Sequence, residues 1–233
     1  SPWSRSAPAP GSCCRRPAEV LRAAINGYGR IGRCLLRAVY ETGLRDRIRI
    51  VAINEPADLP GMAHLTRFDS IHGAFHLPVR VQPPDRMMVA DDVIRVSHAD
   101  APEGVDWAGM DIDLLFECSG VHTRRSRLEA FAAAGVPRVL VSNPMAGAAE
   151  VDATVVHGYN QQVLRPGHRF VSNASCTTNC AVPILAILDR HFGVESAVVT
   201  AIHSAMNDQP VLDGYHSRDL RRTRSAMHSV TPV

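Results

Sequence analysis

The chain has 233 residues, 45% of them hydrophobic, 21% charged and 5% aromatic, the make-up of a packed globular protein. Its 25 basic residues, all Arg, stand against 23 acidic ones, and a net charge of +2 excludes a whole-chain electrostatic binder of nucleic acid. The absence of Lys excludes a lysine Schiff base or a lysine-dependent phosphate loop, and the longest apolar run, Ala181 to Leu188, is far short of the roughly 18 residues a membrane span needs.

Residues 1–22 read as an unstructured leader, since up to Val20 they hold four Pro, four Ser and three Arg with Glu19 as the only acid. Regular patterning begins at Ala23. Ala24-Ile25 closes a short apolar strand, Gly27-Tyr28-Gly29-Arg30-Ile31-Gly32 follows, and Leu35, Leu36, Val39 and Tyr40 recur at helical spacing up to Gly43. Ile48 to Ile53 (IRIVAI) reads as a second strand. Val79 to Val96 alternates like hairpin strands around Asp91-Asp92. Leu114 to Phe116, Thr123 to Ala134 and Val139 to Val141 repeat strand, helix and strand, which predicts βαβ units and a mainly parallel sheet. Phe170-Val171 closes a further strand, Ser172 to Thr178 is a polar turn, Cys180 to Leu188 continues as an apolar helix, and Ala197 to Ile202 (AVVTAI) reads as another strand.

Two segments carry chemistry. Gly27-x-Gly29-x-x-Gly32 lies after a strand and opens a helix, the context a dinucleotide fingerprint requires. The first Gly permits the tight turn, the second lets a pyrophosphate approach the backbone, and the third lets helix and strand pack closely. The helix start, with Arg30 and Ile31 in its first turn, offers N–H groups to the phosphates. Glu55, 23 residues beyond Gly32, ends the second strand, where a carboxylate bonds the adenosine ribose and repels a 2′-phosphate. NAD is thus the expected cofactor. The second segment, Ser172 to Cys180 (SNASCTTNC), places Cys176 at a helix start, a position that favours the nucleophilic thiolate. Cys180, one turn on, falls on the apolar face and reads as a small buried hydrophobe. The six cysteines form no C-x-x-C pair and no zinc spacing, which implies reduced thiols, a cytoplasmic setting and no metal.

SNASCTTNC together with NGYGRIGR upstream resembles the phosphorylating glyceraldehyde-3-phosphate dehydrogenase superfamily, over nearly all the chain from Ala24. Ile202 to Gln209 (IHSAMNDQ) and Asp219 to Arg224 (DLRRTR) are similar to its erythrose-4-phosphate dehydrogenases. The resemblance implies Cys176 as nucleophile, His203, 27 residues later, as the base, and Ser175, Thr177 and Arg222 as contacts to the substrate's anionic groups. It implies an α/β fold: a Rossmann-type NAD-binding domain over 23–171, then an incomplete α+β catalytic domain over 172–233. It implies NAD-dependent oxidation of D-erythrose 4-phosphate to 4-phosphoerythronate, a step towards pyridoxal phosphate, and a full-length homotetramer that meets neither nucleic acid nor membrane. The run Arg218, Arg221, Arg222, Arg224 then suits a sugar-phosphate site or a subunit contact.

Three departures from the family pattern qualify these expectations. Met206 stands where the triose-phosphate enzymes have Thr, and it matches the erythrose-phosphate branch. Ala99 replaces an Arg that touches the cofactor in many members. The sequence given ends before the second phosphate-binding loop and before the Asn that holds the nicotinamide amide. Two other readings therefore stay open: a glyceraldehyde-3-phosphate dehydrogenase, and an NAD-binding chain that turns nothing over.

Overall fold

The computed structural model describes residues 20–207, 209–216 and 219–232. The expected leader falls almost entirely outside the described residues, as does Arg218. The chain divides into two units, up to Ile187 and from Leu188.

In the first unit, β1 (Leu21–Asn26), α1 (Arg30–Glu41) and β2 (Ile48–Asn54) form the expected opening βαβ unit, with β1 parallel to β2. The sheet begins two residues earlier than the leader boundary placed it. Leu21 pairs with Ile48, and the Arg22 amide donates to Asp113 Oδ2 at 2.8 Å, so both residues have fixed partners. α2 (Leu59–Arg67), not marked in the sequence, starts where Asp58 accepts a hydrogen bond from the Gly61 amide at 2.8 Å. A short hairpin follows, β3 (Phe68–Asp69) with β4 (Gly73–Ala74). The expected alternating stretch forms antiparallel β5 (Val79–Gln82), β6 (Arg86–Val89) and β7 (Asp92–Ser97). β8 (Leu114–Glu117), α3 (Arg125–Ala133), β9 (Val139–Val141), β10 (Ala153–Thr154) and β11 (Phe170–Ser172) complete the sheet, in the order β10-β11-β9-β8-β1-β2-β7-β6-β5. All contacts from β10 to β7 are parallel.

Alternation along β1 explains why the sheet is covered on both faces. Ala23 and Ile25 join one buried cluster with Leu36 and Val39 of α1, while Ala24 joins another with Leu128 and Phe131 of α3. β2 and β8 flank β1 on opposite sides. The chain therefore reverses its direction of growth at β1, and open α/β sheets leave a crevice outside the carboxyl ends of the strands at such a point.

α4 (Cys176–Phe192) runs through Pro183, and the division between units falls inside it. The expected burial of Cys180 is corrected: its side chain is exposed, no residue of α4 is buried, and Ile184 and Ile187 lie open. Apolar spacing describes a face of the helix, and no described residue covers this one.

In the second unit the expected strand over Ala197 to Ile202 is absent; the segment has no regular structure. Backbone N–H and C=O groups in a strand need partners, and no described strand runs beside it. A short helical turn, Leu220–Thr223, is capped by Asp219 through the Arg221 amide.

Candidate active site

Two of the three fingerprint glycines have a steric reason within the chain, and the third faces open space. Gly27 has φ +86°, and a Cβ there would overlap the backbone of Ser119. A Cβ on Gly32 would overlap the carbonyl oxygen of Gly27, so this residue lets α1 sit against the turn. At Gly29 a Cβ would meet no heavy atom within 4 Å, which leaves the backbone open to an approaching group. Gly29 also caps α1 without any side-chain hydrogen bond. The first-turn N–H groups, those of Arg30 and Ile31 included, are thus oriented for an anion. The Arg30 guanidinium is ion-paired to Asp69 and bends away into the β3–β4 hairpin. Asp69 also accepts the Ile71 and His72 amides, each at 2.9 Å; with Arg30 these hold its carboxyl at about 2.

Glu55 accepts the Tyr28 amide on Oε2 at 2.6 Å and the Ala57 amide on Oε1 at 3.3 Å. The carboxylate expected to meet a ribose therefore also ties the glycine-rich turn to the end of β2. A carboxylate offers about four acceptor sites, so two remain for a ligand. Glu55 lines a cavity of about 290 Å³ at the switch point, with Gly27, Gly29, Ala99, Ser119 and His122 among the other walls.

Below this cavity lies a polar chain that the sequence reading missed. Asn26, Asn54 and Glu117 end β1, β2 and β8 at matching register. The Asn54 amide donates to Asn26 Oδ1 at 2.8 Å, and the Asn26 amide donates to Glu117 Oε2 at 2.6 Å. Glu117, completely buried, accepts the Ser119 backbone N–H at 2.8 Å and the Ser119 hydroxyl. The repeated Ala-Ile-Asn of 24–26 and 52–54 was the available signal: an apolar strand closed twice by the same amide.

The same row across the sheet reaches the cysteine loop. Glu117 is in register with Val141, and Val141 with Ser172. β1 and β11 are three strand intervals apart, about 14 Å, so the glycine-rich turn and the Cys176 loop rise from one end of one sheet.

The loop is locally determined. Ser172 Oγ donates to Asn143 O at 2.9 Å and accepts the Ala174 amide at 3.1 Å, and Ala174 adopts φ +59°. Ser175 is the N-cap of α4: its Oγ accepts the Thr178 amide at 3.0 Å and bonds the Thr178 hydroxyl at 2.7 Å. The hydroxyl expected at a substrate anion is thus engaged in starting the helix. Cys176 follows as the first helical residue, exposed, with Thr177 also exposed beside it. Cys118 is the opposite case: burial pushes its thiol up to about 12.

His203 and Arg222 belong to the second unit. His203 is exposed, with Nδ1 2.7 Å from Ser204 O. In the arginine run, Arg221 holds Asp219 with two nitrogens, Nε at 3.0 Å and Nη2 at 2.8 Å, and Arg222 Nε lies 3.9 Å from the same carboxylate. Arg224 pairs with Asp213 at 2.8 Å. The described arginines of the run are therefore salt-bridged, and Asp219 is held at about 2 chiefly by Arg221. No group of three or more His, Cys, Asp or Glu among the described residues is placed to hold a metal, and no helix there is long and apolar enough to cross a membrane.

Two family models match the chain. The glyceraldehyde 3-phosphate dehydrogenase NAD binding domain covers residues 21–125, and the glyceraldehyde 3-phosphate dehydrogenase C-terminal domain covers residues 175–233. The first contains the glycine-rich turn, Glu55 and Glu117; the second opens on the N-cap of the Cys176 helix. With a sheet, switch-point crevice and glycine cradle that fit the cofactor, the chain belongs to the glyceraldehyde-3-phosphate dehydrogenase family, as an NAD-dependent oxidoreductase acting on an aldehyde.

Proposed function

We propose that the aldehyde is D-erythrose 4-phosphate and the product 4-phosphoerythronate, with Cys176 as nucleophile and His203 as base. The observation that carries the reading is the exposed Cys176 thiol in the first turn of α4, at the sheet end that also bears the glycine-rich turn. His203 takes the thiol proton of Cys176; the thiolate adds to the aldehyde carbon as the C=O π bond opens onto oxygen, which takes up that proton to give a thiohemiacetal hydroxyl. Bound NAD supplies a two-electron acceptor for the hydride on that carbon. His203 takes the hydroxyl proton as the C–H bond breaks, leaving a thioester on Cys176. Attack by water on the thioester carbon releases the acid, attack by phosphate would release an acyl phosphate, and either one frees the Cys176 thiolate as the leaving group.

The turn at Gly27 to Gly32 would hold the pyrophosphate and Glu55 the adenosine ribose, excluding a 2′-phosphate. Thr177 and Arg222 would meet the substrate's phosphate. The choice of the four-carbon sugar rests on Met206, half exposed in place of a hydroxyl donor. Losing one donor to an anion weakens its binding roughly ten- to a hundredfold, which disfavours phosphate as the attacking group and favours water. The same reading places the protein in the cytoplasm as a homotetramer that acts on a small sugar phosphate.

The test is NADH formation from each aldehyde, with and without phosphate. Oxidation of erythrose 4-phosphate without added phosphate, and slower oxidation of glyceraldehyde 3-phosphate, is the expected result. A strict phosphate requirement with faster triose oxidation makes the protein a glyceraldehyde-3-phosphate dehydrogenase instead. The irregular, exposed 197–203 segment carrying His203 favours one other reading, a chain that binds NAD and turns nothing over. Its signature is NAD uptake with no NADH from either sugar.

A further inference from the structure

We propose that Glu117 is a positioning residue for the cofactor: its buried carboxylate fixes the donor–acceptor order of a hydrogen-bond chain running from Ala99 through Asn54 and Asn26 to Ser119, and so holds the two walls of the dinucleotide crevice together.

The order is set from one end. Ala99 presents both backbone groups to Asn54: its N–H donates to Oδ1 at 3.0 Å, and its C=O accepts from Nδ2 at 2.9 Å. Ser97 Oγ also donates to Asn54 Oδ1 at 2.9 Å. A main-chain N–H and C=O cannot exchange roles, so the Asn54 amide has one orientation. Its Nδ2 then donates to Asn26 Oδ1, which turns the Asn26 Nδ2 towards β8. The group there must accept, and Glu117 Oε2 does so at 2.6 Å. On its other side Ser119 presents two donors, the backbone N–H and the hydroxyl, and Oε1 accepts both. Position 117 thus faces donors on both sides. A carboxylate satisfies both, while the equally large amide of Gln places an N–H against a donor on one of them.

The chain matters to the cofactor through Ser119. The Ser119 backbone lies directly against Gly27, where a Cβ would overlap it, and both residues line the cavity with Asn26, Asn54, Glu55 and Ala99. Glu117 therefore ties the loop after β8 to the turn after β1, from beneath the site that the ligand occupies. An unpaired buried donor is costly enough to displace one of these loops.

This inference rests on the assignment of the crevice to NAD, and its test separates the two. NAD is titrated calorimetrically into the 233-residue chain, and the unfolding midpoint is recorded without cofactor. Glu117→Gln is expected to bind NAD about tenfold or more weakly. Asn26→Asp alone sets two carboxylates face to face and is expected to be weaker still. Combining Asn26→Asp with Glu117→Gln restores the order. The carboxylate introduced at position 26 accepts from Asn54 and from the Gln amide, while the Gln oxygen accepts from Ser119. The double variant is expected to bind NAD within about threefold of the unsubstituted protein and to recover its midpoint. If Glu117→Gln unfolds, a folded, NAD-binding double variant carries the same conclusion. Unchanged affinity in Glu117→Gln overturns the proposal, as does a double variant no better than the single one. Failure of the unsubstituted chain to take up NAD overturns the cofactor assignment and the positioning role together.

Discussion

Two six-residue segments, each with four β-branched residues, meet different fates. Ile48 to Ile53 (IRIVAI) is the second parallel strand, with Ile50, Ala52 and Ile53 buried between α1 and α3 layers. Ala197 to Ile202 (AVVTAI) has no regular structure, and Val198 and Ile202 are 97% and 87% exposed. β-Branched residues fit a pleated, half-buried surface, and the preference is realised only where neighbouring strands supply hydrogen bonds and a helix supplies cover. IRIVAI has β1 and β7 on its two sides. The first unit is thus fixed by strand neighbours and helix cover, while the second carries backbone bonds such as Gly214 N–H to Thr223 O, bonds of Gln209 and Ser225, and ion pairs at Asp213 and Asp219.

Two glycines with left-handed backbone sharpen the contrast. Gly27 (φ +86°) has the Ser119 backbone where a Cβ would sit, whereas Gly193 (φ +72°) has nothing within 4 Å. Gly27→Ala adds steric overlap to backbone strain and is expected to destabilise by about 3 kcal/mol or more. Gly193→Ala carries the strain alone, about 1 kcal/mol. Denaturant midpoints of the two variants measure both; equal losses would dissolve the distinction between the regions.

A middle-sized effect is expected at Glu55. Its hydrogen bonds to a ribose and its repulsion of a 2′-phosphate give NAD a preference over NADP of about tenfold or more. Glu55→Ala is expected to narrow that ratio, although it also removes the tie to the Tyr28 amide. Titration of both cofactors into both proteins checks the ratio, and equal affinities in the unsubstituted protein would contradict the assignment.

The smallest effect concerns acid. Asp69 in the first unit and Asp219 in the second are both held at about 2, the one first by the His72 and Ile71 amides, the other first by Arg221. A carboxyl depressed on folding contributes stability fully above its unfolded value near 4 and loses it as pH falls through the folded one. Between about pH 4 and pH 2 the β3–β4 hairpin and the 220–223 turn should therefore loosen as each carboxyl protonates. Asp69→Asn is expected to remove the hairpin's share of that acid slope and leave the turn's, which residue-resolved NMR titration would show.

What the sequence revealed was local. The glycine spacing, the following amphipathic helix and the acid after β2 lie within a single βαβ unit, and Gly27 and Gly32 have the steric reasons that their positions implied, while Gly29 faces open space. The Cys176 helix start was equally local, because its cap, Ser175 on Thr178, spans three residues. Asn26 and Glu117 were missed because their bond joins residues 91 positions apart, and no periodicity marks such a pair. The burial assigned to Cys180 and the strand assigned to AVVTAI failed for one physical reason. An apolar pattern shows that a surface could be covered and does not identify its cover.

The central claim, a helix-start thiol poised at the dinucleotide end of the sheet, is tested most directly by brief iodoacetamide treatment at neutral pH with mass mapping of the cysteines. Cys118 is buried with its thiol pushed up to about 12, Cys34 is partly covered, and Cys180 is exposed one turn into α4. The expected result is alkylation of Cys176 about tenfold or more faster than of Cys180, with Cys34 slow and Cys118 unmodified. Uniform labelling, or labelling of Cys180 ahead of Cys176, would contradict it.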